Sequence, residues 1–144
     1  MTPMQIQLVR ESFARVAPIA PQAAAIFYRH LFTADPTLAP LFKGDMAHQG
    51  ERLMKMIGAA VGLLDRPQQL LPVLRQLGAR HAGYRVQPAH YDTVGSALLQ
   101  TLADGLGEAF DAATREAWIA MYAIVARTML AGAAEAAQPV AEAA

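Results

Sequence analysis

Few residue types in this chain are able to carry chemistry. It contains four histidines, twelve carboxylates, four tyrosines and one tryptophan. It has no cysteine, which excludes disulfides, thiolate metal sites and cysteine nucleophiles. An HExxH zinc motif, a P-loop, a GxGxxG turn and a GxSxG nucleophile elbow are also missing from the sequence. Hydrolase and nucleotide-binding functions are therefore disfavoured, and the histidines become the main candidates.

His81 is the histidine whose position is most informative. It follows Leu77 by four residues and Leu74 by seven, so it shares their apolar helix face. Such a histidine is either a core residue bonded to a backbone carbonyl or a ligand to an iron macrocycle, because neutral imidazole in an apolar pocket binds iron well. The residues alone leave both interpretations open. His30 is expected at the surface, and His90 in a structural role in the first turn of its helix.

About seven helices are predicted to position these side chains. Apolar residues recur at a spacing of three and four, and prolines or capping residues stand where helices would begin. No segment alternates with period two, so we expect an all-α fold, and the unequal helix lengths argue against a simple four-helix bundle. The predicted domain covers residues 1–131, followed by a flexible alanine-rich tail over residues 132–144. The predicted helices cover residues 2–17, 22–33, 35–42, 46–64, 67–83, 88–106 and 112–131.

The composition limits the classes of partner. With 144 residues, 54% of them hydrophobic, and a net charge of zero, the chain is expected to form one domain that favours neither nucleic acid nor an anionic membrane. Its mean hydropathy of +0.21 is high, yet charged residues interrupt every long apolar run and the first residues lack a signal-peptide pattern. We therefore expect a soluble, cytoplasmic protein. So much apolar content in a short chain suggests helices that bury more than one face, and one explanation is that they surround something apolar.

Five short segments occur in an order and at a spacing that are specific when taken together. They are Phe27–Phe32, Asp35–Phe42, Leu77–His81, His90–Gly95 and Ala117–Tyr122. Through them, residues 5–130 resemble a globin, in particular the bacterial single-domain haemoglobins related to the haem domain of flavohaemoglobins, and also the neuroglobins. The resemblance implies a three-over-three helical sandwich that encloses haem b. It also implies O₂, CO and NO as ligands.

The resemblance implies roles for residues that hold the haem and its iron. His81 matches the iron ligand, which Leu77 adjoins, and Phe42 matches the phenylalanine that packs on the macrocycle. Tyr91 matches a tyrosine near the proximal histidine. Relatives with this tyrosine also carry a glutamate late in the last helix that bonds to the imidazole and favours O–O or O–N chemistry. Here residues 131–134 are alanine and glycine, and Glu135 lies past the predicted helix end, which weakens a peroxidase-like role.

On the distal side, the resemblance matches Tyr28 to a tyrosine that donates a hydrogen bond to bound oxygen. Gln49 matches the distal polar residue and Leu53 its apolar neighbour. Arg52 stands at the level of the pocket mouth, where it either pairs with a haem propionate or remains solvated. A shift of one residue would place His48 in the position of Gln49. His48 would then bind the iron and give a six-coordinate resting state.

The implied function is reversible binding of O₂, CO and NO with high affinity for O₂. High affinity disfavours simple oxygen delivery and favours scavenging, sensing or chemistry. The leading chemical hypothesis is dioxygenation of nitric oxide, with a weak peroxidase activity as a second candidate. Repeated turnover requires electrons from a separate reductase acting in trans. The alternative is a haem-based gas or redox sensor, or an interaction module that uses the globin fold.

Overall fold

Six α-helices account for most of residues 1–137, the part of the chain that this computed structural model describes. Three short 3-10 helices, at Ala17–Ile19, Pro36–Leu41 and Gly107–Ala109, connect some of them. No strand occurs within the described residues, so the all-α prediction is confirmed. The α-helices are α1 (Pro3–Val16), α2 (Ala20–Ala34), α3 (Met46–Gly62), α4 (Pro67–Gly83), α5 (Pro88–Leu106) and α6 (Ala112–Ala137).

The helices begin at prolines and capping residues. At the start of α1, the Thr2 hydroxyl accepts a hydrogen bond from the backbone N–H of Gln5, whose side chain accepts one from the Thr2 N–H. Asp45 caps α3, since its carboxylate accepts from the N–H of Ala47. At α5, the N–H of Gln87 donates to Nδ1 of His90 at 2.9 Å. His90 therefore has the structural role that its position predicted.

The last helix is longer than the sequence predicted. We expected it to end at Ala131 and a flexible tail to begin at Gly132, but α6 continues to Ala137. Alanine has the highest helix propensity of all residues, and Gly132 is buried against α4 instead of ending the helix. Glu135 consequently lies within α6, where it is exposed. Residues 138–144 of the expected tail lie outside the described residues.

The helices form two layers. In one layer α5 packs against both α2 and α6, and in the other α1 packs against α3. Across the layers, α3 crosses α2, α1 crosses α5 and α6, and α4 makes its most extensive contacts with α6. Helices α3 and α4 are therefore anchored on different parts of the opposite layer and have little direct contact with each other.

Two apolar cores hold these layers together. The larger core is centred on Trp118, whose ring N–H donates to the Ser12 hydroxyl at 2.8 Å and so connects α6 to α1. The smaller core is built on Phe27, Tyr28 and Leu31 of α2. Half-buried Leu98 of α5 packs against both cores.

The apolar residues of helix α6 are spread around the helix and are not confined to one face. In residues 1–137 it is the one helix that is long and apolar enough to cross a membrane by length and composition. A core helix passes the same test, and α6 contributes the buried side chains of Ala117, Trp118 and Met121 to the larger core.

Candidate functional site

His81 lies in the last turn of α4 and presents a free imidazole nitrogen. Its Nδ1 is 2.8 Å from the carbonyl oxygen of Leu77. A carbonyl oxygen only accepts, so Nδ1 carries the proton and donates it, which leaves the Nε2 lone pair available. Burial lowers the pKa of His81 below its ordinary value of 6.5 and keeps the ring neutral at pH 7. This is the form of histidine that binds metals.

The segment after α4 folds back onto His81. Arg85 adopts a φ of 68°, in the left-handed region that few non-glycine residues occupy. This turn brings the N–H of Val86 to the carbonyl oxygen of His81 at 3.1 Å. The half-buried side chains of Leu77 and Val86 pack against the larger core beside the histidine. The His81 side chain is thus held between a helix end and a return turn, with apolar neighbours.

Three aromatic rings meet on the α2 side of the molecule, and we call Tyr28, Phe32 and Phe42 the aromatic cluster. Tyr28 and Phe32 are one helical turn apart on α2, and their ring centroids are 5.8 Å apart. Phe42 follows the 3-10 helix and meets Tyr28 edge-on at 5.3 Å and Phe32 at 5.5 Å. Such tilted pairs are a favourable aromatic geometry. The structure therefore brings together two residues, Tyr28 and Phe42, that the sequence assigned to one pocket.

Tyr28 is a phenol that keeps its proton. The residue is 8% exposed, and burial raises its pKa to about 12. Its hydroxyl therefore remains a hydrogen-bond donor throughout the physiological pH range.

Helix α3 presents its four candidate residues differently. Leu53 is half-buried and packs against the core that contains Tyr28. Gln49 is also half-buried, but its Nε2 donates to the carbonyl oxygen of Lys43 at 2.8 Å, and not to Tyr28. The His48 side chain is 64% exposed. Arg52 is exposed as well. The structure thus turns Leu53 toward the core and His48 and Arg52 outward, while the Gln49 amide lies in an exposed hydrogen bond with the loop before α3.

Tyr91 of α5 holds a buried hydroxyl with no hydrogen-bond partner among residues 1–137. Its backbone oxygen accepts a hydrogen bond from the Tyr122 hydroxyl, which fixes α5 against α6. The side chain packs in the larger core together with Leu77 and Val86. The carboxylate that the resemblance associates with such a tyrosine is not supplied by Glu135, which is exposed.

Comparison with known proteins places these residues in a family. The family model named Globin matches residues 25–129, a range that includes Tyr28, Phe42, Gln49, His81 and Tyr91. The chain belongs to the globin family. The all-α architecture described above is accordingly a globin fold.

Curated relatives of this globin include neuroglobins and flavohemoproteins. The chain is 30% identical to a neuroglobin of Tetraodon nigroviridis over 140 residues, 88% of each chain. It is 27% identical to a flavohemoprotein of Vibrio cholerae over 135 residues, which are 90% of this chain but 34% of the flavohemoprotein. This globin therefore spans about a third of the length of that flavohemoprotein. Both similarities agree with the resemblance found in the sequence.

The residues of this globin fit haem, the group that the family implies. Within residues 1–137 no three His, Asp or Glu side chains cluster to hold a bare metal ion. His81 would thus be a single protein ligand, which requires a prosthetic group that brings its own ligands. The half-buried apolar side chains of Phe42, Leu53, Leu77 and Val86 suit the faces of an apolar macrocycle. Family membership and this donor set together support haem-based binding of gases.

A small cavity of about 20 Å³ lies behind Leu53. It borders Phe13, Phe27 and Trp118, and Thr101 is its one polar neighbour apart from the tryptophan N–H. The Thr101 hydroxyl donates to the carbonyl oxygen of Ala97 at 2.7 Å, and Trp118 donates to Ser12. With both polar groups already bonded, the cavity offers nothing to a water molecule and is expected to be dry.

Sequence reasoning missed the glycines that bring helices of this globin together. A Cβ built on Gly50 would stand 2.8 Å from the Cβ of Ala24, so α3 approaches α2 closely next to Gln49. Gly78 and Gly132 similarly join α4 to α6. The sequence did carry a signal, since each of these glycines stands alone inside a helical pattern. Because glycine lowers helix stability, such a position often indicates a packing requirement.

Proposed function

We propose that this globin binds haem b through His81 and binds O₂, CO and NO reversibly on the opposite face of the haem. The observation that carries the proposal is the imidazole of His81, whose Nδ1–H is held by the Leu77 carbonyl while Nε2 remains unprotonated. When bound, the haem would supply the ferrous iron at which diatomic gases coordinate. Phe42, Leu53 and Leu77 would hold the macrocycle and exclude water from it.

On the distal side, the proposed hydrogen-bond donor to a bound diatomic ligand is Tyr28. A phenol that stays protonated in an apolar surrounding stabilises a ligand that carries partial negative charge. Gln49 is the proposed second donor. In this structure its amide donates to the carbonyl of Lys43 with one of its two N–H groups. Arg52 is proposed to pair with a haem propionate at the pocket mouth.

The exposure of residues along α3 argues against an internal histidine ligand on the distal side of the iron. His48 is the residue that would occupy the iron if the register were shifted, but its ring faces solvent and lies 4.0 Å from Glu51. The neighbouring Gln49 is the half-buried one. We therefore propose that Gln49, not His48, stands in the distal position and that His48 would not bind the iron.

The chemistry proposed for the oxygenated protein is dioxygenation of nitric oxide. One NO, one O₂ and one electron give one nitrate ion, and the electron comes from a separate reductase in the cytoplasm. Tyr28 would favour this role because a distal donor slows the release of O₂. A peroxidase-like role is less supported, since the backbone carbonyl of Leu77, and not a carboxylate, accepts the hydrogen bond from His81 Nδ1–H.

An absorption spectrum of the purified chain with added haem tests the proposal. We expect an intense Soret band that His81→Ala abolishes or strongly weakens, because the iron loses its protein ligand. The matched control is His48→Ala, which removes an exposed histidine and should leave the band in place. If no Soret band forms after haem addition, or if the band is indifferent to His81→Ala, the proposed site is wrong.

Two further measurements test the assignment of Gln49 and the dioxygenase role separately: the spectrum of the reduced protein, and the reaction of the oxygenated protein with NO. A broad visible band in the reduced protein indicates an open iron, whereas sharp six-coordinate bands would contradict the assignment of Gln49. Rapid loss of NO on mixing with the oxygenated protein, with nitrate as the product, is the result expected for dioxygenation. A slow reaction would leave reversible gas binding as the function and overturn the dioxygenase role.

A further inference from the structure

Two glycines bring the backbones of α4 and α6 into direct contact. A Cβ built on Gly78 of α4 would lie well inside 3.0 Å of the backbone oxygen of Met129, a separation that real Cβ atoms essentially never show. A Cβ built on Gly132 of α6 would overlap the backbone oxygen of Arg75 in the same way. We call this pair, Gly78 and Gly132, the glycine seam.

The contacts at the glycine seam are reciprocal and rigid. Each glycine faces the main chain of the other helix, so no side-chain rotation can make room for a methyl group. Two other glycines behave differently: nothing lies within 4 Å of a Cβ built on Gly83 of α4 or on Gly105 of the neighbouring α5. Because glycine lowers helix stability relative to alanine, the two buried glycines serve the close approach and not the helices themselves.

The seam lies one helical turn from the candidate iron ligand. Gly78 precedes His81 by three residues, and Leu77, whose carbonyl fixes the His81 ring, is adjacent to Gly78. Helix α4 makes its most extensive contacts with α6 and has little direct contact with α3. The distance between the α4 and α6 backbones therefore sets where the whole last turn of α4 stands.

We propose that Gly78 and Gly132 are positioning residues for the proximal histidine. By seating the α4 backbone directly on α6, they fix the position from which the His81 imidazole meets the haem iron. Both glycines contact the main chain of the facing helix, so both act through the placement of α4. This inference rests on the proposed binding of haem through His81.

The test uses Gly78→Ala and Gly132→Ala in the full chain loaded with haem. Each added methyl group forces α4 away from α6, so we expect both variants to shift the iron–histidine stretching frequency in the same direction. Resonance Raman spectra of the species formed by photolysis of the CO complex measure this frequency whatever the resting coordination. We also expect haem to dissociate roughly tenfold faster, the lower end for changes that disturb the support of a metal ligand.

Gly83→Ala is the matched control. It makes the same substitution in the same helix, two residues after His81, at a position with open space. It should keep the wild-type frequency and the wild-type rate of haem loss. A shift in this control as large as in Gly78→Ala would mean that helix propensity, and not the seam, controls the histidine.

The double variant provides a sharper criterion. Once one methyl group has separated the helices, the second needs little further movement. The frequency shift and the faster haem loss of the double variant should therefore be smaller than the summed effects of Gly78→Ala and Gly132→Ala. Full additivity would contradict a shared seam. Should Gly78→Ala fail to fold, Gly132→Ala carries the test, because its methyl group lies on another helix and away from His81.

The outcomes distinguish this inference from the function on which it rests. If the wild-type chain takes up no haem, both the proposed function and the positioning role are wrong. If the wild type shows a normal iron–histidine mode and the folded seam variants keep the same frequency, only the positioning role is overturned.

Discussion

At the scale of single residues, Tyr28 is the proposed hydrogen-bond donor to a bound gas. Its phenol is buried beside Phe42 and remains protonated. Replacing it with phenylalanine removes the hydroxyl and keeps the ring. Since a hydrogen bond to a charged group contributes about 1.5–3 kcal/mol, we expect Tyr28→Phe to raise the O₂ dissociation rate by about 10- to 100-fold in stopped-flow measurements.

The control for that measurement is Tyr84→Phe. Tyr84 is 63% exposed and lies beside His81, with ring centroids 6.3 Å apart. The Tyr84→Phe substitution removes the same hydroxyl from a tyrosine that the proposed distal site does not use, so the O₂ dissociation rate should not change. Equal rates in Tyr28→Phe and the wild type would remove Tyr28 from the ligand-binding site.

His81 makes the stability of the apoprotein fall as the pH is lowered. Burial lowers its pKa in the folded chain below 6.5, so the unfolded chain binds more protons as the pH falls below that value. The contribution to stability is therefore complete above pH 6.5 and is lost as the pH falls through the folded pKa. Urea unfolding of the apoprotein at several pH values should show this loss for the wild type and a smaller one for His81→Leu. Identical slopes in the two proteins would contradict the assignment.

The sequence predicted the place of His81 but not the use of its two nitrogens. Its spacing from Leu74 and Leu77 placed it on an apolar face, and a core histidine and an iron ligand were both compatible with that face. The structure shows that a carbonyl bond occupies only Nδ1, so the two alternatives are not exclusive. The bond from Gln49 to Lys43 was not predictable, because it depends on the path of a loop that no local pattern specifies.

At the scale of helices, the crossing of α3 over α2 determines where Gln49 and Leu53 stand. Gly50 sits against Ala24 with no room for a second methyl group. We expect Gly50→Ala to lower the free energy of unfolding by about 1–3 kcal/mol, as overpacking of a core typically does. Urea titration of the apoprotein measures this change.

The matched variant exchanges the two residues. Combining Gly50→Ala with Ala24→Gly moves the methyl group from α2 to α3, so the contact is restored. We expect the double variant to recover the lost stability, because the helix propensity lost by Ala24→Gly is offset by the gain from Gly50→Ala. If the double variant is less stable than Gly50→Ala alone, the close contact is not the cause of the loss.

The helix starts were predictable because their signals are local. Proline in a first turn and an aspartate or threonine cap act on neighbouring N–H groups, as Thr2 and Asp45 do. The end of α6 was not predictable, because glycine is an ordinary stop signal. Gly132 instead continues the helix since it contacts the backbone of Arg75, a residue distant in sequence. Tertiary contacts overrode the local rule at this point.

At the scale of the whole molecule, one buried hydrogen bond links the first helix to the last. Ser12 accepts from the Trp118 ring N–H and is bonded to the carbonyl of Leu8 at 2.7 Å. We expect Ser12→Ala to lower the free energy of unfolding by about 1–3 kcal/mol, because the indole N–H is left buried without a partner. Thermal and urea unfolding measure the loss.

Ser96→Ala is the control for that prediction. Ser96 is exposed on α5, and its replacement should leave stability almost unchanged. A double-mutant cycle with Trp118→Phe then isolates the coupling between the two side chains. Absence of any coupling would show that the bond does not hold α1 on α6.

The composition and periodicity indicated an all-α molecule, but not which helices touch. The layers follow from contacts such as Gly78 with Met129, which join residues far apart in sequence. The arrangement was anticipated through the resemblance to globins, and the family match confirms it. What no single-sequence pattern specifies is the closeness of each crossing, since it depends on which small residues face each other after folding.

The glycine seam also has a consequence for the order of events during translation. A ribosome completes α4, with His81 at its end, long before Met129 and Gly132 emerge, yet α4 cannot reach its seat until they do. Long-range contacts of this kind form late. A nascent chain should therefore capture haem weakly while α6 is incomplete, and gain tight capture only as those last turns leave the exit tunnel.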